Sequence, residues 1–375
     1  MKKILIIFIL MIELCLVPNK ILATDYTLET TKEMLDISSF LVEAKKYTKG
    51  IFEDMDFSEL LDSSIKGEID NSKIYNRILK LLGIEIKSQI SMLASIIVII
   101  VIHSILKSIS EGLENDEISK ISYFVQYILI VTLIMKNFSE IIVSIKDTIQ
   151  NLVGFSYSLI PLLLSLMIIT GKMVTVSAIQ PILLLLITFI GNFISNFLLP
   201  MVLIGTSLGI VSKISDKVQI DKLAKTFKSS VVWILGLALT IFTGVLSMES
   251  SLTGQVDGLT TKATKTVITS TIPVVGKILS DTTEVILGSG IVLKNAVGFI
   301  GVIVIIGICI GPIIKLAILT IIYQILSSIC EPLADKKIID ILEQMKDTFK
   351  ILLAMVSSIS IMLIIGVTIV IKISG

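Results

Sequence analysis

Long runs without a charged side chain constrain this sequence more than any other feature. A helix needs about 20 apolar residues to cross a bilayer, within a range of roughly 17–25. Eight such runs of 15 to 40 residues follow residue 87: 88–106, 121–135, 148–171, 173–212, 229–248, 295–314, 316–330 and 351–371. The 40-residue run has room for two spans with a break at Pro200. The pattern predicts an all-α polytopic membrane protein with about eight transmembrane helices, of which the two 15-residue runs could instead be half-spans.

Composition agrees with a membrane protein and excludes several other classes. Charged residues make up 17% of the chain, against roughly 25% in a soluble domain, and the mean hydropathy is +0.95. The net charge of +1 lacks the excess of positive charge that is typical of nucleic-acid-binding proteins. Three cysteines cannot build a disulfide framework.

The first 23 residues are typical of a signal peptide. Lys2 and Lys3 form a positive start, residues 4–12 form an apolar core, and Ala23 is a small residue before the expected cut. The alternative is an uncleaved anchor helix, because Glu13 interrupts the apolar stretch. A cleaved signal would place residue 24 onward outside the cytoplasm.

Residues 24–87 form the one long soluble-looking segment of the sequence, with 13 acidic and 9 basic residues. Apolar residues recur in it at helical spacing. We expect an extracytoplasmic region of two to four short helices, broken near Gly50, Gly67 and Gly83, with Asp56 or Ser58 as a helix cap. A segment of this size buries only a modest core alone, so it should pack on the membrane or on a partner.

The multi-span membrane domain, 88–375, contains two segments that are neither plain spans nor plain loops. Residues 249–294 begin rich in Ser, Thr and Gly and become apolar, which suits a re-entrant or interfacial segment. Residues 332–350 place apolar side chains near one helical face and predict an interfacial amphipathic helix. The lysine-rich loop 213–228 is expected on the cytoplasmic side, and 249–294 on the other.

The sequence offers little to a catalytic or metal-dependent mechanism, and we expect neither an enzyme nor a bound cofactor or metal. It contains no HExxH, CxxC, GxSxG or Gly-rich dinucleotide motif. His103, the single histidine, fits a packing role better than a proton relay, since the same apolar run has no acidic partner. The absence of acidic residues from the centres of the apolar runs also argues against an ion-coupled transporter.

The prolines and small residues indicate more about the role of this chain than the catalytic motifs that it lacks. Pro161, Pro181 and Pro273 lie in apolar surroundings where a proline frees a backbone carbonyl and kinks or breaks a helix, and broken helices recur at transport sites. Gly205 and Gly209 form a GxxxG pattern that favours intramolecular helix packing over a dimer contact.

The stretch 271–298, TIPVVGKILSDTTEVILGSGIVLKNAVG, resembles a signature of the stage III sporulation protein AE family. The segments ISKISYFV at 118–125 and LIPLLLSLM at 159–167 are similar to it as well, and the resemblance is collinear over about 88–375. Seven residues match the family pattern: Pro161, Pro273, Gly276, Asp281, Lys294, Asn295 and Gly298. With Pro181 they are our candidates for shaping a broken-helix core or path.

This resemblance implies a membrane subunit of the channel, or feeding apparatus, that connects mother cell and forespore in endospore-forming bacteria. It implies the mother-cell-derived outer forespore membrane as location. The implied partners are other products of the same operon, namely a secretion-type ATPase, small membrane proteins and ring-forming proteins, and a forespore membrane partner. The alternative from the residues alone is a self-sufficient transporter of a small solute, which solute flux in liposomes without partners would reveal.

Overall fold

A computed structural model describes residues 25–48, 52, 55–67, 71–112, 116–214, 220–271 and 275–372. Every regular element in these ranges is a helix, which confirms the predicted all-α class. The predicted signal peptide, Gly50 and Pro273 lie outside the described residues.

Three short helices form the N-terminal region: α1 Asp25–Met34, α2 Ile37–Tyr47 and α3 Phe57–Lys66. The Asp56 carboxylate accepts a hydrogen bond from the Ser58 N–H and caps α3, as predicted. Gly67 ends that helix in the left-handed conformation at φ 73°, which glycine adopts without a steric penalty. The break expected at Gly83 is wrong, because this residue lies inside a continuous helix.

Longer helices make up the rest of the described chain. They are α4 Asn71–Gly112, α5 Asp116–Ile169, α6 Met173–Phe193, a π-helical turn Ile194–Leu198, α7 Leu199–Ile214, α8 Asp221–Thr271, α9 Val275–Cys330 and α10 Lys336–Lys372. Six stretches of these helices are long and apolar enough to cross a membrane.

The predicted count of about eight spans is not confirmed: the described residues contain six candidate spanning helices, because neighbouring apolar runs share one helix. The runs 121–135 and 148–171 both lie on α5, and 295–314 and 316–330 both lie on α9. Between the two runs of α5, the side chains of Lys136, Glu140 and Lys146 are exposed. A charged segment therefore does not have to end a helix when its charges point away from the core.

The prolines do not break their helices as expected. Helix α5 continues through Pro161 and α6 through Pro181. The backbone hydrogen-bond pattern changes from α-helical to π-helical just before Pro200. There the Leu199 N–H donates to the Ile194 carbonyl, five residues back. A proline has no N–H and its ring clashes with the carbonyl four residues earlier, so a π-helical turn there accommodates Pro200 without ending the helix.

Helix α9 is the central element and packs against α1 to α5, α8 and α10. The apolar face of 336–350 is buried among neighbouring helices, with Ile338, Leu342 and Phe349 at most 1% exposed. This segment is therefore the first part of α10, continuous with the last span, and its apolar face contacts protein. Residues 249–271 and 275–294 are helical extensions of α8 and α9, and their re-entry into a membrane stays a prediction.

Candidate functional site

One group of predicted site residues meets where α5, α9 and α10 pack together. Lys294 of α9 is fully buried, and its Nζ donates a 2.6 Å hydrogen bond to the Ile371 carbonyl. Ile371 lies in the last turn of α10, where carbonyls lack partners within their own helix and the helix dipole is negative. Lys294 therefore caps α10 from the neighbouring helix.

Glycines let α5 and α10 approach α9 closely on either side of this lysine. A Cβ atom at Gly298 would collide with Ile371, and one at Gly301 would lie 2.6 Å from Leu159 Cδ2. The Cβ atom at Gly298 would also contact Leu163, so the α5 segment around Pro161 packs on α9 beside Gly298.

The remaining sequence-predicted candidates are not gathered there. Asn295 is half-buried on α9, and Pro181 is exposed on α6. Gly276 and Asp281 belong to the first turns of α9, where the structure does not describe side chains. Pro273 lies outside the described residues.

A second polar cluster links α7, α8 and α10. The Gln344 Nε2 donates to the Thr206 carbonyl at 2.8 Å, and the Thr206 and Thr348 hydroxyl oxygens are 3.0 Å apart. From α8, the Lys228 Nζ donates to the Gln344 carbonyl at 3.4 Å. Lys228 is 9% exposed, so an ammonium group is held almost inside the bundle at this junction.

An ion-pair cluster continues this junction toward the ends of the same helices. The Lys213 Nζ lies 2.8 Å from a carboxylate oxygen of Asp221 and 3.1 Å from one of Asp340. One lysine thereby joins the end of α7 to the start of α8 and to α10. Such pairs align helices and contribute little stability when partly exposed.

The GxxxG pattern of α7 serves the same junction, as the sequence favoured. A Cβ atom at Gly209 would collide with the Gln344 side chain, and one at Gly205 would lie 3.3 Å from the Ala224 carbonyl. These glycines bring α7 against α10 and α8, and the packing is within one chain.

The N-terminal region docks on the long helices through a compact contact. Phe52 is 3% exposed, and a Cβ atom at Gly307 of α9 would lie 2.8 Å from its ring. Thr48 contacts the same glycine. Nearby, the Ser158 hydroxyl of α5 donates to the Glu43 carboxylate at 2.6 Å, so polar and apolar contacts both hold α2 on α5.

Aromatic rings complete this docking contact. The fully buried Phe155 ring lies 5.9 Å from Phe40 and 5.7 Å from Tyr47, measured between centroids. Burial, and then the negative charge of Glu43, raises the pKa of Tyr47 above its ordinary value. The Tyr47 phenol therefore stays neutral across the physiological pH range.

An exposed aromatic groove of about 820 Å³ lies between α5 and α6. Phe193 stacks between Phe189 and Phe197, with centroid distances of 5.8 and 5.0 Å. Asn192 and Asn196 also line the groove.

Sequence reasoning missed the α7–α8–α10 junction and the aromatic groove. The phenylalanine spacing at 189, 193 and 197 is a readable signal, since residues four apart share a helix face. The junction has no such local signal, because Thr206 and Gln344 are 138 residues apart. Within the described residues, no group of three His, Cys, Asp or Glu side chains could hold a metal ion.

The family described as stage III sporulation protein AE matches residues 55–374. Stage III sporulation protein AE of Bacillus subtilis (strain 168) is 28% identical over 287 residues, which cover 76% of this chain and 72% of that protein. No solved structure matches.

Proposed function

Because this chain belongs to the stage III sporulation protein AE family, we propose that it is an integral membrane subunit of the channel, or feeding apparatus, between mother cell and forespore. In that role it maintains the engulfed forespore and its late gene expression. It acts from the mother-cell-derived outer forespore membrane.

The family match over 55–374 carries the proposal. It makes the chain a sporulation protein, and the six long apolar helices make it a multi-pass membrane protein. The match includes all of the long helices, α4 to α10, so it covers the part of the chain that builds the bundle.

The geometry favours a subunit that acts through shape and assembly. Its buried lysines, Lys294 and Lys228, and the half-buried Gln344 donate hydrogen bonds to backbone carbonyls of neighbouring helices. These contacts fix the relative positions of α7, α8, α9 and α10, as a rigid part of a larger path requires. The N-terminal helices, docked at Gly307, present their charged outer surface to partner proteins.

The proposed partners are other products of the same sporulation operon. They comprise the secretion-type ATPase, the small membrane proteins and the ring-forming proteins, with a partner in the forespore membrane. The lysine-rich end of the bundle near Lys213 and Lys222 is our candidate contact for the ATPase. Crosslinking of the ATPase confined to other segments would contradict that assignment.

A clean deletion in the native host tests the function. We expect engulfment to finish, after which forespores shrink and a late forespore reporter stays dark. Complementation with the wild-type chain should restore both. Normal spores would overturn the proposal, and solute flux through the purified chain in liposomes would then favour a self-sufficient transporter.

A further inference from the structure

Three of the six candidate spans are about twice as long as the hydrocarbon core of a bilayer is thick. The span formed by α6, the π-helical turn and α7 covers 41 residues, of which 173–212 carry no charge, whereas those of α5 and α9 cover 43 and 45 residues and include charged side chains. At 1.5 Å per residue these rods are about 62, 65 and 68 Å long, whereas the hydrocarbon core of a bilayer is about 30 Å thick. Even at a tilt of 40°, the first rod still extends about 47 Å along the membrane normal. Part of each rod therefore lies outside a single hydrocarbon layer.

The fraction of residues that other helices of the chain bury differs strongly between these rods. In the most apolar stretch of α9, 89% of the residues are buried by other helices, but in that of α6 and α7 only 33% are. Leu185 and Phe189 are 65% and 61% exposed on α6, and Leu203 and Ile204 are exposed on α7. The part of the rod that lies outside the hydrocarbon layer would show apolar side chains to water unless protein covers it.

Two amides lie near the middle of this rod. Asn192 is 19 residues after Met173, and Asn196 is 17 residues before Lys213. Both side chains are exposed, and neither has a hydrogen-bond partner among the residues that the structure describes. An amide donates and accepts hydrogen bonds equally well, so it is complementary to a second amide.

We propose that this α6–α7 face, formed by Leu185, Phe189, Asn192, Asn196 and Phe197, binds the same face of a second copy of this chain. Two copies inserted in one membrane with the same orientation carry their amides at the same depth. A twofold axis along the membrane normal then brings each residue against its own counterpart, which satisfies the amides in pairs.

The side-chain pattern of α6 suits this contact. Leu185, Phe189 and Asn192 follow one another on α6 at spacings of four and three, which is the spacing of a coiled-coil seam, and Asn196 follows in the π-helical turn. The groove of about 820 Å³ beside them has room for the aromatic side chains of the second copy. The inference goes beyond the proposed function and does not depend on it.

Cysteine crosslinking of the full-length protein in membranes tests the contact. Asn192→Cys and Asn196→Cys, each alone, should give a disulfide-linked dimer on mild oxidation. Gln324→Cys, at an exposed amide of α9 outside the groove, is the matched control and should stay monomeric. Cys309 and Cys330 are buried, and the wild-type chain, which also carries Cys15, gives the background. No dimer at either asparagine, or equal dimer at Gln324→Cys, would overturn the proposal.

A second measurement uses variants without new cysteines. The double variant Asn192→Leu/Asn196→Leu should self-associate about fivefold to tenfold more weakly in lipid bilayers, measured by energy transfer between labelled copies, since each interhelical hydrogen bond contributes modestly. Gln324→Leu should associate like the wild type. Unchanged association in the double variant, or crosslinks from the asparagine positions only to a different protein in sporulating cells, would refute a contact between copies.

Discussion

Replacement of Gly307 by leucine tests how the N-terminal region is held. The added side chain would occupy the space of the Phe52 ring, which lies 2.8 Å from the position of a Cβ atom there, and of the Thr48 methyl group at 3.0 Å. Either Phe52 leaves its pocket or the contact is strained. Loss of a buried phenylalanine costs about 1.5–3 kcal/mol, and overpacking costs about 1–3 kcal/mol.

The expected loss of docking free energy is therefore about 2 kcal/mol. The better helix propensity of leucine does not offset it, because α9 is helical whether the N-terminal region is docked or released. A loss of about 2 kcal/mol raises the released fraction about thirtyfold. Trypsin cleavage after Lys45 or Lys46, exposed on α2, should accelerate by that factor when opening is fast relative to cleavage.

The matched control is Gly236→Leu on α8, where an added Cβ atom meets nothing within 4 Å. This variant should be cleaved at the wild-type rate. Wild-type cleavage of Gly307→Leu would refute the docking argument. Equal acceleration in both variants would show that the effect is general destabilisation and does not depend on the Phe52 contact.

Three further outcomes follow from the polar groups at the helix junctions. Lys294→Met should change the free energy of unfolding in detergent by at most about 1 kcal/mol, because removal of the buried charge offsets the loss of the hydrogen-bond donor to the Ile371 carbonyl; destabilisation by about 3 kcal/mol or more would contradict this, and loss of sporulation in the stable variant would assign the lysine a functional role. Gln344→Leu should destabilise by about 1–3 kcal/mol, because the Thr206 carbonyl loses its donor, whereas Gln324→Leu should not lower the melting temperature. Lys213→Ala should cost at most about 1 kcal/mol and show a smaller salt dependence than the wild type, and a larger loss in denaturation experiments would show that its ion pairs are structurally dominant.

The sequence predicted the helical class and the multi-pass character because both depend on local composition. Apolar runs without charge have few alternatives to helices in a membrane. The Asp56 cap and the Gly67 terminus were equally readable, since each depends on side-chain or backbone properties within three residues. The family resemblance at 271–298 was also visible, and the family match confirms it.

Helix boundaries within the apolar runs were not predictable in the same way. The segment around Glu140 reads as a loop between two spans, yet its charges are exposed on one continuous helix. Pro161 and Pro181 read as breaks, yet their helices continue past them. In each case the surroundings of the helix decide whether it continues, because an exposed face or a neighbouring helix accommodates the charged side chain or the proline. Local sequence patterns do not contain that information.

Local sequence is sufficient to specify that this chain forms apolar helices, where several of them start, and which family it belongs to. The cap of Lys294 on α10, the packing of Phe52 on Gly307 and the hydrogen bond by which Gln344 joins α10 to α7 depend on the three-dimensional arrangement of the helices. These contacts connect residues far apart in the chain, so they depend on which helices become neighbours. That choice is made by the fit of small and large side chains across whole helix faces, and no single segment specifies it.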